Sequence, residues 1–377
     1  MSMLKNFQMI PSALGAAALN VSRSIMSTLP ENPSACPPII FMHGFAGFNE
    51  IDVFGIKLLE YWNGIPELLN QMGYQAFTPQ VTPFNSPQVR AEQWKIQIEA
   101  IRKKLNVDRV MLVAHSQGAI DARLLVCPNT EYVSTSLGPL NGKGYGEHVS
   151  KVVTVGGPHF GNVTVDLVDK DPKAEKILND IFGLADLIAR GITGKKQDAT
   201  AAIGALGQKF MLEEFNPYCV DDPNVEYFCM AGNPKTEKLV SPILKDSFQE
   251  LYEIPQSDGG GANDGFVTVP SALFGNSYRG APADYAIPDG AEANSNWTVL
   301  GTVMADHVVE VGLPLDFPPN KYYDHLACFG GLAQLLDPFY MAEMQLKDNG
   351  QWVREAMQDV QHGKPAPKAR AKAKAEA

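Results

Sequence analysis

The stretch VMLVAHSQGAIDARLL, Val110 to Leu125, constrains the fold more than any other part of the chain. An apolar run of strand length ends at His115-Ser116-Gln117-Gly118 and passes, with no linker, into a helical pattern. A backbone reverses that abruptly only through a sharp turn, with small residues where strand and helix approach. Ser116 occupies the apex, so its hydroxyl is lifted above the sheet, the strand–turn–helix setting of a nucleophile elbow. The motif reads A-x-S-x-G, with Ala114 at the first small position. Its bland alternative is a chance short string on a buried strand and helix.

The flanks repeat the alternation. PPIIFMHG reads as a buried strand, GIKLLEYWNGIPELLNQMG as loop and helix, and YQAFTPQV as a second strand. Residues 86–105 carry a helix start signal, Ser86 ahead of Pro87. RVMLVAHS, VSKVVTVGG and VEYFCMAG supply further strands, and QGAIDARLLV a helix. Strands alternating with helices specify an α/β protein with a mostly parallel sheet and right-handed crossovers. Residues 174–190 place Ile177, Leu178, Ile181, Phe182, Leu184, Leu187 and Ile188 on one broad helical face. Gly/Asn/Asp-rich loops dominate from Ser257 to Asn296, and no internal repeat or second folded domain is read.

A serine hydroxyl needs a base to become nucleophilic, and in this chain order an acid and then a histidine follow the serine. Among seven histidines, His307 in GTVMADHVVEVG lies far downstream in a loop-to-helix setting, as a base should. His325 in YYDHLACFGG is its competitor, with a hydrogen-bonded structural histidine as the plainer reading. Asp264, in the Asn-Asp-Gly turn of GGGANDGFVTVP, is the candidate acid, although Asp-Gly turns are common without function. Asp306 adjoins the base and is the poorer acid, whereas Glu310 shares a helical face with Asp306. An acyl-transfer intermediate also needs backbone N–H donors for its oxyanion. Gln117, after the nucleophile, supplies one, and Phe45, in the HGFAGF loop that follows an early strand, the other.

Composition narrows the class. With 45% hydrophobic and 19% charged residues the chain is an ordinary globular one, ample for a large core. Its formal net charge of −11 argues against a nucleic-acid partner for the folded body. Residues 1–36 read as a weak signal peptide or an amphipathic surface segment, and 37–362 as the folded domain. Residues 363–377 read as a disordered basic tail, with Lys364, Lys368, Arg370, Lys372 and Lys374 against Glu376. Such a tail is either a solvated solubility segment or a peripheral contact for anionic lipid or a granule surface. No apolar run is long enough to span a membrane. Five cysteines at irregular spacing form neither a disulfide framework nor a zinc motif, and Cys219 and Cys229 are the pair nearest in sequence.

Together FMHGFAGF, EYWNGIP, VAHSQG, VVTVGGPHFG, ANDGFV and DHVVEVG resemble, in order and spacing, the bacterial true lipases of the Pseudomonas and Burkholderia type. The resemblance is dense from about Pro37 to Asn162 and resumes from Ala262 to about Gly312. It implies an α/β-hydrolase fold, mostly parallel sheet flanked by helices, with a helical lid at about 162–215. It implies a serine carboxylic-ester hydrolase, a triacylglycerol lipase, with Ser116, Asp264 and His307 as triad and Arg123 helping to hold the site together. Lipid or ester at an interface is then the substrate, and no organic cofactor is required. Alternatives on the same residues are a short-chain esterase, a polyester or polyhydroxyalkanoate hydrolase, an acyltransferase, or a non-catalytic lipid- or granule-binding protein. The resemblance favours export, and an intracellular lipid- or granule-associated enzyme is the alternative.

Departures from the family pattern are specific. Many such lipases bind calcium with an aspartate two residues after the base, where this chain has Val309, which leaves only Asp306 and Glu310 as weak calcium candidates. No cysteine follows the Asn-Asp-Gly turn in FVTVPSALFG to complete the family disulfide. The segments 127–148 and 264–307 are longer than usual.

Overall fold

The computed structural model describes residues 35–338 other than 46, 48, 49, 54, 55, 132, 180–199, 276–286, 290, 293 and 314–319. A six-stranded sheet forms its centre: β1 (Ile39–Met42), β2 (Ala76–Phe77), β3 (Val110–His115), β4 (Val149–Val155), β5 (Glu226–Gly232) and β6 (Trp297–Val303), in the order β6-β5-β4-β3-β1-β2. Every neighbouring pair is parallel. The long helices are α1 (Ile65–Gln71), α2 (Pro87–Leu105), α3 (Gln117–Val126), α4 (Lys245–Glu253) and α5 (His325–Leu336).

The strands are apolar at successive positions because both sheet faces are covered. Ile40, Met42, Leu112, Ala114 and Val152 point into one core with Trp94 and Ile98 of α2 and Ile120 and Leu124 of α3. Their neighbours Ile39, Phe41, Met111, Val113, Val153 and Val155 point into the other, with Ile65 and Leu69 of α1 and Phe329 and Leu332 of α5. The start of α2 is as its sequence requires: Ser86 Oγ accepts from Val89 N–H, and Pro87 occupies the first turn.

Several expectations change. The strand read in YQAFTPQV shrinks to Ala76–Phe77, since Pro79 has no N–H to continue a ladder. Part of the stretch read as loop, Ile56–Glu60, pairs with Glu50–Val53 as a hairpin. The residues after Asp264 form a turn and a short helix, Val269–Ala272. Strand β6 and helices α4 and α5 were not anticipated. Of the lid read at about 162–215, residues 180–199 lie outside the described residues; in the remainder Val163–Asp166, 172–179 and Thr200–Gly204 are helical and Phe210–Phe215 form a π-helical turn. Residues 363–377 and all but Ala35 and Cys36 of the first 36 also lie outside them. Among the described residues no helix is long and apolar enough to cross a membrane.

Candidate active site

Ser116 has φ 56° and ψ −130°, a left-handed-side conformation that a non-glycine residue adopts only when its surroundings enforce it. They do: Ser116 N–H donates to Val155 O on β4, and Ser116 O accepts from Ala119 N–H as α3 begins. Gly118 is the one residue type that fits the turn, because a Cβ there would lie 2.5 Å from Met42 O and 2.8 Å from His43 O of β1 and its loop. The motif's glycine thus records the closeness of α3 to β1.

From the apex, Ser116 Oγ lies 2.9 Å from His307 Nε2, and His307 Nδ1 lies 2.8 Å from Asp264 Oδ2. Asp264 is fully buried, and its other oxygen accepts from Phe266 N–H at 2.8 Å and Val267 N–H at 2.6 Å. With one oxygen occupied by backbone donors, the other is aimed at the imidazole. A backbone bond from His307 N–H to Asp264 O, 2.9 Å, ties the two loops independently of their side chains. The three residues expected as a triad are therefore brought together. His325 is not among them: it opens α5 and its Nε2 contacts Asn63 O at 2.8 Å.

The loop bearing Phe45 is held from below. Arg90 of α2, fully buried, donates from Nη2 to His43 O (2.7 Å) and Gly44 O (3.3 Å), and from Nη1 to Thr82 O (2.7 Å) and Pro83 O (3.3 Å). Its Nε donates to Asp121 Oδ2 of α3 at 2.7 Å, which also accepts from Trp94 Nε1 at 3.1 Å. Burial pushes the Asp121 carboxyl up to about 6 against the opposing pull of Arg90. His43 is kept neutral: burial first, then Arg90, lowers it to about 3, so Nε2 accepts from Val81 N–H while Nδ1–H donates to Gly44 O. Gln117 N–H opens α3, where the helix supplies no acceptor.

Behind the base lies a second polar cluster. His115 Nδ1 is 2.6 Å from Tyr61 Oη, which accepts from Gly44 N–H at 2.9 Å. Its Nε2 is 3.3 Å from Glu310 Oε2, itself 3.9 Å from His307 Nδ1. Burial, then Asp264 and Asp306, raises Glu310 well above the usual carboxylate range; burial, then His307, lowers His115 well below its own. Both shifts favour the neutral form of the side chain.

Sequence reasoning weighed Glu310 as an alternative acid and as a calcium candidate, and the donor set does not fit that ion. Among the described residues, the group able to converge on a cation is Glu310 with His115 and His307, their ligand atoms within 4.8 Å. Two imidazole nitrogens suit a softer metal than calcium, which takes six to eight oxygens. Asp306 does not join them: it accepts from the Ser241, Val308 and Val309 N–H groups. Also missed were Arg90, Asp121, Tyr61 and His115. The one signal was Asp121, an acid on a fully buried helix whose other polar residues are Gln117 and Arg123.

Arg123 is buried against aromatic faces, its guanidinium carbon 4.5 Å from the Phe274 ring centroid and 5.1 Å from that of Phe215. It donates to Asn216 Oδ1 at 2.9 Å, and Asn216 Nδ2 donates to His159 O at 2.9 Å. That chain joins α3 to the loop after β4.

Comparison with known proteins places this geometry. No family model matches the chain. A triacylglycerol lipase of Vibrio cholerae is 29% identical over 263 residues, 64% of this chain and 75% of that protein. A triacylglycerol lipase of Pseudomonas fragi is 32% identical over 129 residues, which is 34% of this chain and 37% of that one. Among solved structures, lipase 1 of Pelosinus fermentans aligns with TM-score 0.53 at 18% identity, over 80% of this chain and 98% of that one. The Staphylococcus hyicus lipase aligns with TM-score 0.52 at 18% identity, over 75% and 91%. The structural likenesses establish the fold, and the sequence likenesses establish kinship: the chain is a serine ester hydrolase, a relative of the bacterial triacylglycerol lipases on the α/β-hydrolase fold.

Proposed function

We propose that this protein hydrolyses triacylglycerols through an acyl-enzyme on Ser116. The observation that carries the reading is the unbroken line from Ser116 Oγ through His307 to Asp264, at 2.9 and 2.8 Å, on a strained strand-to-helix turn. His307 Nε2 takes the Ser116 proton as Oγ attacks the ester carbonyl. Asp264 holds the imidazole in the tautomer with a proton on Nδ1 and stabilises the imidazolium that forms. The N–H groups of Phe45 and Gln117 receive the oxyanion. His307 then gives its proton to the departing alcohol, and water, activated by the same imidazole, releases the acid. Only protons and an acyl group move, so no organic cofactor enters.

A fluorophosphonate probe and a triglyceride chain-length series test this together. Wild-type protein labels and hydrolyses; Ser116→Ala does neither, with kcat falling by about 10⁶. Activity confined to soluble short-chain esters would reassign the enzyme as an esterase. Failure of well-folded wild-type protein to label would remove the catalytic reading altogether. We also assign the basic tail a peripheral contact with anionic lipid, from its five cationic side chains at Lys364, Lys368, Arg370, Lys372 and Lys374.

A further inference from the structure

Cys127 and Cys219 stand 92 positions apart in sequence, yet their side chains are near enough for each thiol to shift the other's titration. Cys127 caps the C-terminal end of α3, and its Sγ also reaches Tyr218 O, 3.9 Å away, the carbonyl bonded directly to Cys219 N. The same carbonyl accepts from Asn129 Nδ2 at 3.0 Å, and Cys219 N–H donates to Phe215 O at 2.9 Å, which pins the segment carrying the second thiol. One turn earlier on α3, Arg123 grips Asn216. The two thiols therefore face each other across a junction already fixed on both sides.

Their chemistry differs from that of the other cysteines. The hydrogen bond from Cys219, ahead of every other influence, lowers the Cys127 thiol to about 7. Burial raises Cys36, Cys229 and Cys328 to about 12, and Cys219 well above its ordinary value. Thiolate is the reactive form, so Cys127 is the attacking group and Cys219 the resolving one. Both side chains are buried, but each adjoins surface: Pro128 is exposed, and Tyr218 and Val220 are 43% and 50% exposed. Cys229, the partner nearest Cys219 in sequence, faces Thr298 O at 4.0 Å instead.

We propose that Cys127 and Cys219 form a redox-sensitive disulfide clasp joining the end of the nucleophile-bearing helix to the Phe215–Cys219 turn. The oxidant is a low-molecular-weight disulfide such as oxidised glutathione. Cys127 thiolate attacks one of its sulfurs and expels a thiolate, leaving a mixed disulfide on Cys127. Cys219 sulfur then attacks Cys127 sulfur and expels the second thiolate. The two cysteine protons leave with these two thiols, so one external disulfide is reduced as one protein disulfide forms.

The test uses the full-length protein incubated with oxidised glutathione or with dithiothreitol. The oxidised sample should lose the mass of two hydrogens with no retained glutathione, and peptide mapping should find Cys127 joined to Cys219. Its Tm should rise by about 3–8 °C, as expected for closing a loop of this length. Hydrolysis should stay within about twofold, because Ser116 lies at the opposite end of α3 and the bond leaves the elbow itself untouched. Cys127→Ser and Cys219→Ser should each abolish the mass change and the Tm shift. A bond between other cysteines, glutathione held on Cys127 while Cys219 remains alkylatable, or all five thiols still alkylatable after prolonged exposure would overturn the proposal. None of these readouts depends on catalysis.

Discussion

Glu310 is the buried carboxylate that the triad leaves over, and its environment says what it does. It faces His115, His307, Asp264 and Asp306, and its ionised form would add a further negative charge to a dry site. Its pKa in the folded protein lies above the ordinary 4.5, so the folded state binds the proton more tightly than the unfolded chain. The associated stability is complete below about pH 4.5 and is lost as pH rises through the raised folded value. Glu310→Gln cannot ionise, so urea unfolding should show the variant gaining on wild type as pH rises above about 4.5. At pH 7 its kcat should stay within several-fold of wild type, because Gln keeps the shape and charge of the protonated carboxyl, the form that the raised pKa favours. A loss of 100-fold or more would mean that Glu310 works ionised. Ser116, Asp264 and His307 were each legible from sequence, by motif, turn chemistry and chain order. Tyr61 and His115 were not, since their contact spans 54 residues and neither carries a local signature.

Among the elements, the ones that were legible share a property: β1, β3, β4, β5, α2 and α3 are continuous patterns with their turn residues at the ends. Strand β6 escaped notice because NWTVLGTV follows glycine- and asparagine-rich loops and contains Gly301, where its register against β5 shifts. Helix α5, HLACFGGLAQLL, is apolar around most of its circumference and carries two glycines, so it offers no amphipathic period. The Arg90–Asp121 pair, invisible for the same reason of distance, binds α2, α3 and the loop after β1 into one support. Asp121→Asn should leave the guanidinium buried without its counter-charge, at a cost of about 3–5 kcal/mol in urea unfolding at pH 7.5. A wild-type-like midpoint would show the pair to be dispensable. Gly118→Ala forces a methyl against Met42 O and His43 O. It should destabilise by about 1–3 kcal/mol and, by shifting the Phe45 loop, lower kcat with little change in KM. A change in KM alone would mean that the turn positions substrate rather than the oxyanion donors.

On the scale of the molecule, charge is divided unevenly. Residues 363–377 hold five cationic side chains and one acid, a net of +4, so the remaining chain carries −15 of the total −11. Like charge on the body repels an anionic surface, and the tail supplies attraction at one end that is screened within about 8 Å at physiological salt. Deleting 363–377 should therefore abolish the salt-sensitive part of binding to anionic vesicles in a sedimentation assay. It should leave hydrolysis of a dissolved short ester unchanged. Equal vesicle binding by both forms would make the tail a solubility segment only.

The proposed nucleophile follows the end of β3 directly, and the proposed base stands four residues beyond the end of the edge strand β6, so parallel strands of one sheet deliver both. The acid, Asp264, lies between β5 and β6, so the stretch 264–307 itself carries two of the three reacting groups, whereas the long segment 127–148, between α3 and β4, carries none. Length can thus vary in 127–148 without touching a residue of the proposed triad. An evolving lineage, or an experimenter grafting loops from a relative, can therefore rebuild that connection while the reaction itself is inherited intact.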